Sequence, residues 1–270
     1  MVTKPVALVT GASAGIGATF ARALAARGYD LILVARRRER LEDLARELKQ
    51  AGAEAEVLQA DLTDPAQLRL VEQRIAAVEA LNLVVNNAGF GVVGRFWESD
   101  ADAQLAMHLL HIVATMRLTH AALAAMVPRD RGAVINVSSV AAFVESPGSV
   151  TYGASKRWIN AFTEGLDLDL RSKGSAVRVQ ALCPGFTYSE FHDVAGIDRK
   201  TIPDSLWTKA EDVVAASLAG LERGKLFVVP GWRYRALVWF LAVLPDALLR
   251  PGTIWFARRT GRDRGDGGAK

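Results

Sequence analysis

Val6-Ala-Leu-Val-Thr10 runs straight into Gly11-Ala-Ser-Ala-Gly15-Ile-Gly17 and then into an Ala-rich stretch that reaches Arg27. A short apolar run without strict alternation reads as a strand covered on both faces, and the longer Ala/Leu segment behind it reads as a helix. Between strand and helix each glycine has a physical reason. Gly11 turns the chain, Gly15 lets backbone approach a ligand closely, and Gly17 allows helix and strand to pack tightly. Ser13 and Ile16 sit in the same turn, and the free N–H groups of the helix start face the place where a pyrophosphate would be held. The spacing is GxxxGxG rather than the general GxGxxG, so the mechanics of a dinucleotide turn are kept while its usual spacing is not. A glycine-rich turn with no ligand is the plainer alternative.

The same alternation continues outward from this turn. Strands are expected at Val6–Thr10, Leu31–Ala35, Ala55–Gln59, Leu83–Asn86, Ala133–Ser138, Ala176–Leu182 and Leu226–Val229. Helices are expected at Gly15–Arg27, Arg38–Gln50, Pro65–Val78, Asp102–Met126, Tyr152–Arg171 and Glu211–Arg223. Strand–helix–strand repetition predicts an α/β protein: a single-domain, Rossmann-type, doubly wound parallel sheet of about seven strands with helices on both faces. No linker or repeat divides residues 1–230. Residues 231–259 read as a hydrophobic extension packed on or near that domain, and 260–270 as a disordered basic tail.

Composition narrows the class. Half of the 270 residues are hydrophobic and 23% are charged, which is globular. The lone Cys183 closes no internal disulfide, and MVTKPVALVT lacks the build of a signal peptide, so a cytoplasmic chain is expected. Six basic and two acidic residues between Arg250 and Lys270 account for the whole net charge of +4, and residues 1–249 carry 27 of each sign. A surplus confined to the tail argues against a nucleic-acid-binding surface.

Two further patterns carry chemistry. The second strand ends in Leu33-Val34-Ala35-Arg36-Arg37-Arg38, with no carboxylate for the ribose 2′-hydroxyl of NAD. Arg36, with Arg37 beside it, can grip a 2′-phosphate and Ser13 can add a hydrogen bond, so NADP (NADPH) is expected over NAD. Arg38 and Arg40 read as a solvated helix start. Tyr152 and Lys156 stand four apart on one helical face, and an ammonium beside a tyrosine favours the phenolate needed for general acid–base work near neutral pH. Ser139 ends a strand thirteen residues earlier, at the sheet edge where open α/β folds place ligands.

Thr10-Gly-Ala-Ser-Ala-Gly-Ile-Gly17 resembles the cofactor turn of the short-chain dehydrogenase/reductase family. Matching pieces follow in order: Asp61 after the third strand, Asn86-Asn87-Ala88-Gly89 after the fourth, Ser139 after the fifth, Tyr152-Gly-Ala-Ser-Lys156, and Pro184-Gly185 after the sixth. The resemblance spans residues 5 to about 230. It implies hydride exchange between nicotinamide and a carbonyl or alcohol carbon. Tyr152 would be the acid/base, Lys156 its pKa-lowering partner on the nicotinamide ribose, and Ser139 the hydrogen-bond partner of the substrate oxygen. It also implies that Asp61, with Leu62 beside it, contacts adenine. Asn87, Ala88 and Gly89 would line the adenosine half, and Pro184, Gly185 and Thr187 would flank the nicotinamide. A homodimer or homotetramer through the two long helices is implied as well. The family often places in the first of those helices an Asn that kinks it and anchors a water. Here His111 falls at that position, either holding the same water or serving as an ordinary helix residue.

No metal site is expected, since His108 and His111 lack a third ligand, and His120 and His192 carry no signal. Cys183 reads as a small buried thiol. Phe90, Phe96, Trp97, Phe143, Phe186, Tyr188, Phe191 and Trp207 in the loops favour an apolar or aromatic small-molecule substrate, or else form plain core. The apolar run Ala236–Leu249 has fourteen residues, short of the ~20 of a spanning helix. It could be a lid, an oligomer contact, or, over residues 236–259 with Arg250, Arg258 and Arg259, a weak membrane-surface element. The rival to an active reductase is an NADP-binding sensor or scaffold with little turnover.

Overall fold

The structure is a computed structural model, and it describes residues 4–190, 202–244 and 246–259. Seven strands form one parallel sheet: β1 (Val6–Thr10), β2 (Asp30–Ala35), β3 (Ala55–Gln59), β4 (Leu81–Asn86), β5 (Ala133–Val137), β6 (Arg178–Leu182) and β7 (Phe227–Val228). Their spatial order is β3-β2-β1-β4-β5-β6-β7. Among the described residues up to β7, the helices in chain order are α1 (Gly15–Ala25), α2 (Arg38–Gln50), α3 (Pro65–Ala76), α4 (Ala101–His108), α5 (Thr115–Met126), α6 (Val150–Ser172) and α7 (Ala210–Glu222).

Period-two alternation assigns each strand residue to one of two cores. Ala7, Val9, Leu31, Leu33, Leu83, Val85 and Ile135 face α1, α2 and α7, meeting Phe20, Leu24, Leu41, Leu44, Val213 and Leu218. Leu8, Ile32, Val34, Val84 and Val134 face the opposite layer, meeting Leu68, Val71, Leu118, Ala122, Met126 and Leu170 from α3, α5 and α6. The chain reverses its direction of winding between β1 and β4. That reversal opens a crevice at the C-terminal ends of these strands, where doubly wound sheets bind ligands.

The observed elements differ from the expected ones mainly at their ends. β6 begins two residues later than expected, because Ala176 N–H donates to Asp130 Oδ1 instead of to a strand. β7 is only two residues long, pairing Phe227 with Ala181 and Val228 with Leu182 before Pro230. The first long helix is not uniform: between α4 and α5, Leu109–Ala114 forms a π-helical turn that contains His111. Within the helical stretch Ala101–Arg129 an 18-residue window has a mean hydropathy of 1.4, long and apolar enough to cross a membrane by composition. Here Met107, Ala114, Leu118, Ala122 and Met126 are instead buried in the domain.

Beyond β7, helix α8 (Trp232–Val243) starts earlier than the apolar run suggested, and α9 (Asp246–Arg259) follows it. The tail expected at 260–270, as well as Phe191 and His192, lies outside the described residues.

Candidate active site

The glycine turn is clamped from below. Thr10 Oγ1 accepts from Asn87 N–H at 2.9 Å and Ala88 N–H at 3.0 Å, while Asn87 Nδ2 donates to the Thr10 carbonyl at 2.9 Å. The β1 turn and the segment after β4 are therefore one rigid unit. Gly11 has φ +66°, and a Cβ on Gly17 would lie 2.3 Å from the Gly11 carbonyl oxygen, so the turn closes only without side chains at these positions. Gly15 opens α1 with φ +54° and Ile16 follows it, half-buried. The cap residue Ala14 brings no side-chain acceptor and the first turn holds no acid, which leaves the N–H groups of the helix start to an anionic ligand.

Of the arginines after β2, it is Arg37 that reaches the turn. Its Nη2 donates to Ser13 Oγ at 3.0 Å, and its Nη1 donates to Glu190 Oε2 at 2.7 Å. Arg36 points outward, with its nearest carboxylate, Asp61 Oδ2, at 3.9 Å. Asp61 Oδ1 accepts from both the N–H and the hydroxyl of Thr63, at 2.9 and 2.7 Å, and Leu62 beside it is buried.

On the other side of the crevice, Tyr152 and Lys156 project from α6. Lys156 is buried, and its Nζ donates to the Val137 carbonyl at 2.9 Å and lies 5.7 Å from the Tyr152 ring centre. Burial lowers its pKa to about 7, against an upward pull from Cys183. Ser138 Oγ donates to the Lys156 carbonyl at 3.0 Å, which fixes the end of β5 to α6 and takes Ser138 out of the reaction site. Ser139 Oγ accepts from Ala141 N–H at 3.1 Å, as the cap of a short turn at Val140–Phe143, so its own proton remains to be donated.

His111 stands among these groups. Its ring lies edge-on to Tyr152, with centroids 5.8 Å apart and planes at 69°. Ser155 Oγ spends its proton on the Tyr152 carbonyl at 2.8 Å, so His111 Nδ1, 2.9 Å away, must be the donor in the second bond. That assigns the Nδ1–H tautomer and makes Nε2 an acceptor. Nε2 is buried without a hydrogen-bond partner, 2.8 Å from where a Cβ on Gly89 would stand. Desolvation, then the charges of Lys156 and His108, hold the imidazole well below its ordinary pKa and therefore neutral. The π-helical turn places it there; widened turns of this kind recur where a helix side chain must be re-aimed at a site.

The far wall comes from the chain after β6. Val140 N–H donates to the Pro184 carbonyl at 3.0 Å, and Thr187 Oγ1 donates to the Gly185 carbonyl at 3.1 Å. Gly185 is covered by Tyr234 of α8, whose ring carbons lie 2.0–2.4 Å from the position a Cβ would take. The Tyr234 hydroxyl accepts from Phe186 N–H at 3.0 Å and donates to the Leu206 carbonyl at 2.5 Å. Phe186, Tyr188 and Trp207 form a tilted and stacked aromatic group, with centroid distances to Trp207 of 5.7 and 4.9 Å. Cys183 is buried, and burial pushes its thiol up to about 12, an inert state. No cluster of three or more metal-ligating side chains occurs among the described residues.

Sequence reasoning missed three of these participants: Thr10 as the clamp of the turn, Ser155 as the group that sets the His111 tautomer, and Tyr234 as the support of Gly185. Only Ser155 carried a local signal, one helical turn from Tyr152. The residues fit a dinucleotide cofactor: the glycine cradle admits no side chain, the helix start is uncapped, and the unpartnered buried Nε2 of His111 lies beside Gly89.

A family model described as short chain dehydrogenase matches residues 5–199. A short-chain dehydrogenase from Sphingobium yanoikuyae in complex with NADPH is 36% identical with a TM-score of 0.80, over 90% of this chain and 97% of that one. The bulky-bulky ketone specific alcohol dehydrogenase from Comamonas testosteroni is 32% identical with a TM-score of 0.77, over 90% and 96% of the two chains. A short chain dehydrogenase/reductase from Burkholderia phymatum in complex with NAD is 25% identical with a TM-score of 0.76, over 87% and 92%.

Proposed function

The chain belongs to the short-chain dehydrogenase family, oxidoreductases of alcohol and ketone groups that use NAD(P), and on that premise we propose an NADP(H)-dependent enzyme with Tyr152 as its acid–base group. When bound, the cofactor supplies the hydride-transfer chemistry. The chain's own residues do the rest. The uncapped start of α1 and the glycine turn hold the pyrophosphate. Ser13 and Arg37, with Arg36 alongside, hold the 2′-phosphate, and β2 ends without the acid that would select NAD. The NADPH-bound relative supports this reading and the NAD-bound relative marks its competitor.

Tyr152 gives its Oη proton to the substrate oxygen in reduction and takes it back in oxidation, while Ser139 donates to the same oxygen. Lys156 orients the ribose and restores the tyrosine proton. His111, held neutral, offers Nε2 as the acceptor for a donor beside that pair. Phe90, Phe186, Tyr188 and Trp207 present an apolar wall suited to bulky apolar or aromatic carbonyl compounds, the direction in which the ketone-specific relative also points. The observation that carries the proposal is the convergence of Tyr152, Lys156 and His111 at the sheet edge beside the glycine turn.

The test is NADPH oxidation over a panel of ketones, aldehydes and quinones, with Tyr152→Phe as the control. Turnover on a bulky apolar carbonyl is expected, falling at least ~100-fold in Tyr152→Phe while NADPH binding changes less than about threefold. NADPH binding without turnover on any member would replace this reading with that of an NADP-binding sensor.

A further inference from the structure

Helix α8 has two opposed faces. Tyr234, Val238 and Leu241, spaced i, i+4 and i+7, turn toward the domain, and Tyr234 is buried on Gly185. On the opposite side Trp232, Ala236, Trp239, Phe240 and Val243 form a second stripe at the same helical spacing, and all five are exposed. Trp232 and Trp239 are each 68% exposed. At 100° per residue, Arg233 falls on one flank of this stripe and Arg235 on the other. The guanidinium of Arg233 lies 5.5 Å over the Trp232 ring, and its Nη1 donates to the Ser205 carbonyl at 2.6 Å. Helix α9 repeats the arrangement, with Arg250, Ile254, Trp255 and Arg258 exposed and Ala257 buried.

Charge follows the same division. Residues 1–230 hold 25 basic and 26 acidic residues, whereas 231–259 hold five arginines and a single acid, Asp246. An exposed Trp/Phe stripe bordered by arginines is the design of a helix lying in a bilayer interface. At 12 and 14 residues, α8 and α9 are each too short to span a bilayer, which takes about 20. Pairing of this face with a second copy would set arginines against arginines with almost no acid to meet them, whereas anionic headgroups complement it.

We propose that α8 and α9 form a docking surface for an anionic lipid bilayer, which Tyr234 links by hydrogen bonds to the Phe186 amide and the Leu206 carbonyl. The test uses the full chain with vesicles of phosphatidylcholine alone and of phosphatidylcholine mixed with phosphatidylglycerol, read by co-sedimentation. Sedimentation velocity without lipid runs in parallel. Binding to the anionic vesicles, weakened by added salt, is expected. Trp239→Ser/Phe240→Ser and Arg235→Glu/Arg258→Glu should each weaken it roughly tenfold or more, with unchanged thermal stability and oligomeric state. Three outcomes would overturn the proposal: no binding to either vesicle, equal binding to both, or affinity untouched by both variants. Dissociation of an oligomer by Trp239→Ser/Phe240→Ser would overturn it too, by assigning the face to a second copy.

Discussion

Lys156 is buried, with Nζ 2.9 Å from the Val137 carbonyl, and loss of hydration brings its pKa from 10.5 to about 7. In the unfolded chain the same amine stays charged up to about 10.5. Between pH 7 and 10.5 the unfolded state therefore binds a proton that the folded state lacks, and folding stability rises with pH across that window. The rise is at most ~1.4 kcal/mol per pH unit from this one group. Denaturant unfolding of the cofactor-free protein at several pH values should show it, and Lys156→Met should flatten it; an unchanged slope in the variant would place the titration elsewhere. The arginines give a second prediction at this scale. Because Arg37 rather than Arg36 reaches Ser13, Arg37→Ala should weaken NADPH at least ~10-fold while hardly changing NADH, and Arg36→Ala should do less. Calorimetric titration of both cofactors decides between the two residues.

At the level of elements, the site is held by polar stitches between strands and helices that hydrophobic patterning does not announce. Asn86 Nδ2 donates to Thr119 Oγ1 at 3.0 Å and to Asn136 Oδ1 at 2.9 Å, and Asn136 Nδ2 donates to Thr163 Oγ1 at 3.0 Å. This buried ladder ties α5 and α6 to β4 and β5, so the helix bearing Tyr152 is fixed in height relative to the sheet edge. Buried polar networks of this kind specify one arrangement strongly, because leaving a buried member unpaired costs more than a typical hydrogen bond contributes net. The glycine turn depends on backbone contact in the same way. Gly17→Ala would push a methyl group into the Gly11 carbonyl, 2.3 Å away, where no flexible side chain can yield. A loss of roughly 2–4 kcal/mol of stability is expected, together with weakened cofactor binding. Thermal unfolding of the variant with and without NADPH measures both, and a Tm within about 1 °C of the parent would show that the turn can open.

For the whole molecule, Leu105 on α4, Met116 on α5 and Leu168 on α6 are exposed on the two long helices, as an association surface requires. A homo-oligomer through these helices is expected, and Met116→Arg/Leu168→Arg should shift it to monomer in sedimentation velocity without touching the lipid face of α8. Much of the architecture was legible beforehand: every expected strand is present, because a doubly wound sheet writes itself into short apolar runs alternating with amphipathic helices. The glycine turn, the Tyr152–Lys156 pair and the position of Ser139 were legible for the same reason, each being set by spacing within one element or at its end. What spacing could not reach is contact between residues far apart in the chain. Thr10 and Asn87, His111 and Ser155, Gly185 and Tyr234, and the contact of Arg37 with Ser13 all depend on how elements pack. The sequence alone determined the class of fold and the chemical groups brought to its edge, through local periodicity and backbone demands. Only the tertiary structure decided which groups touch, which proton His111 keeps and which face of α8 is left to solvent, because burial and hydrogen-bond partners exist only once separate elements have packed.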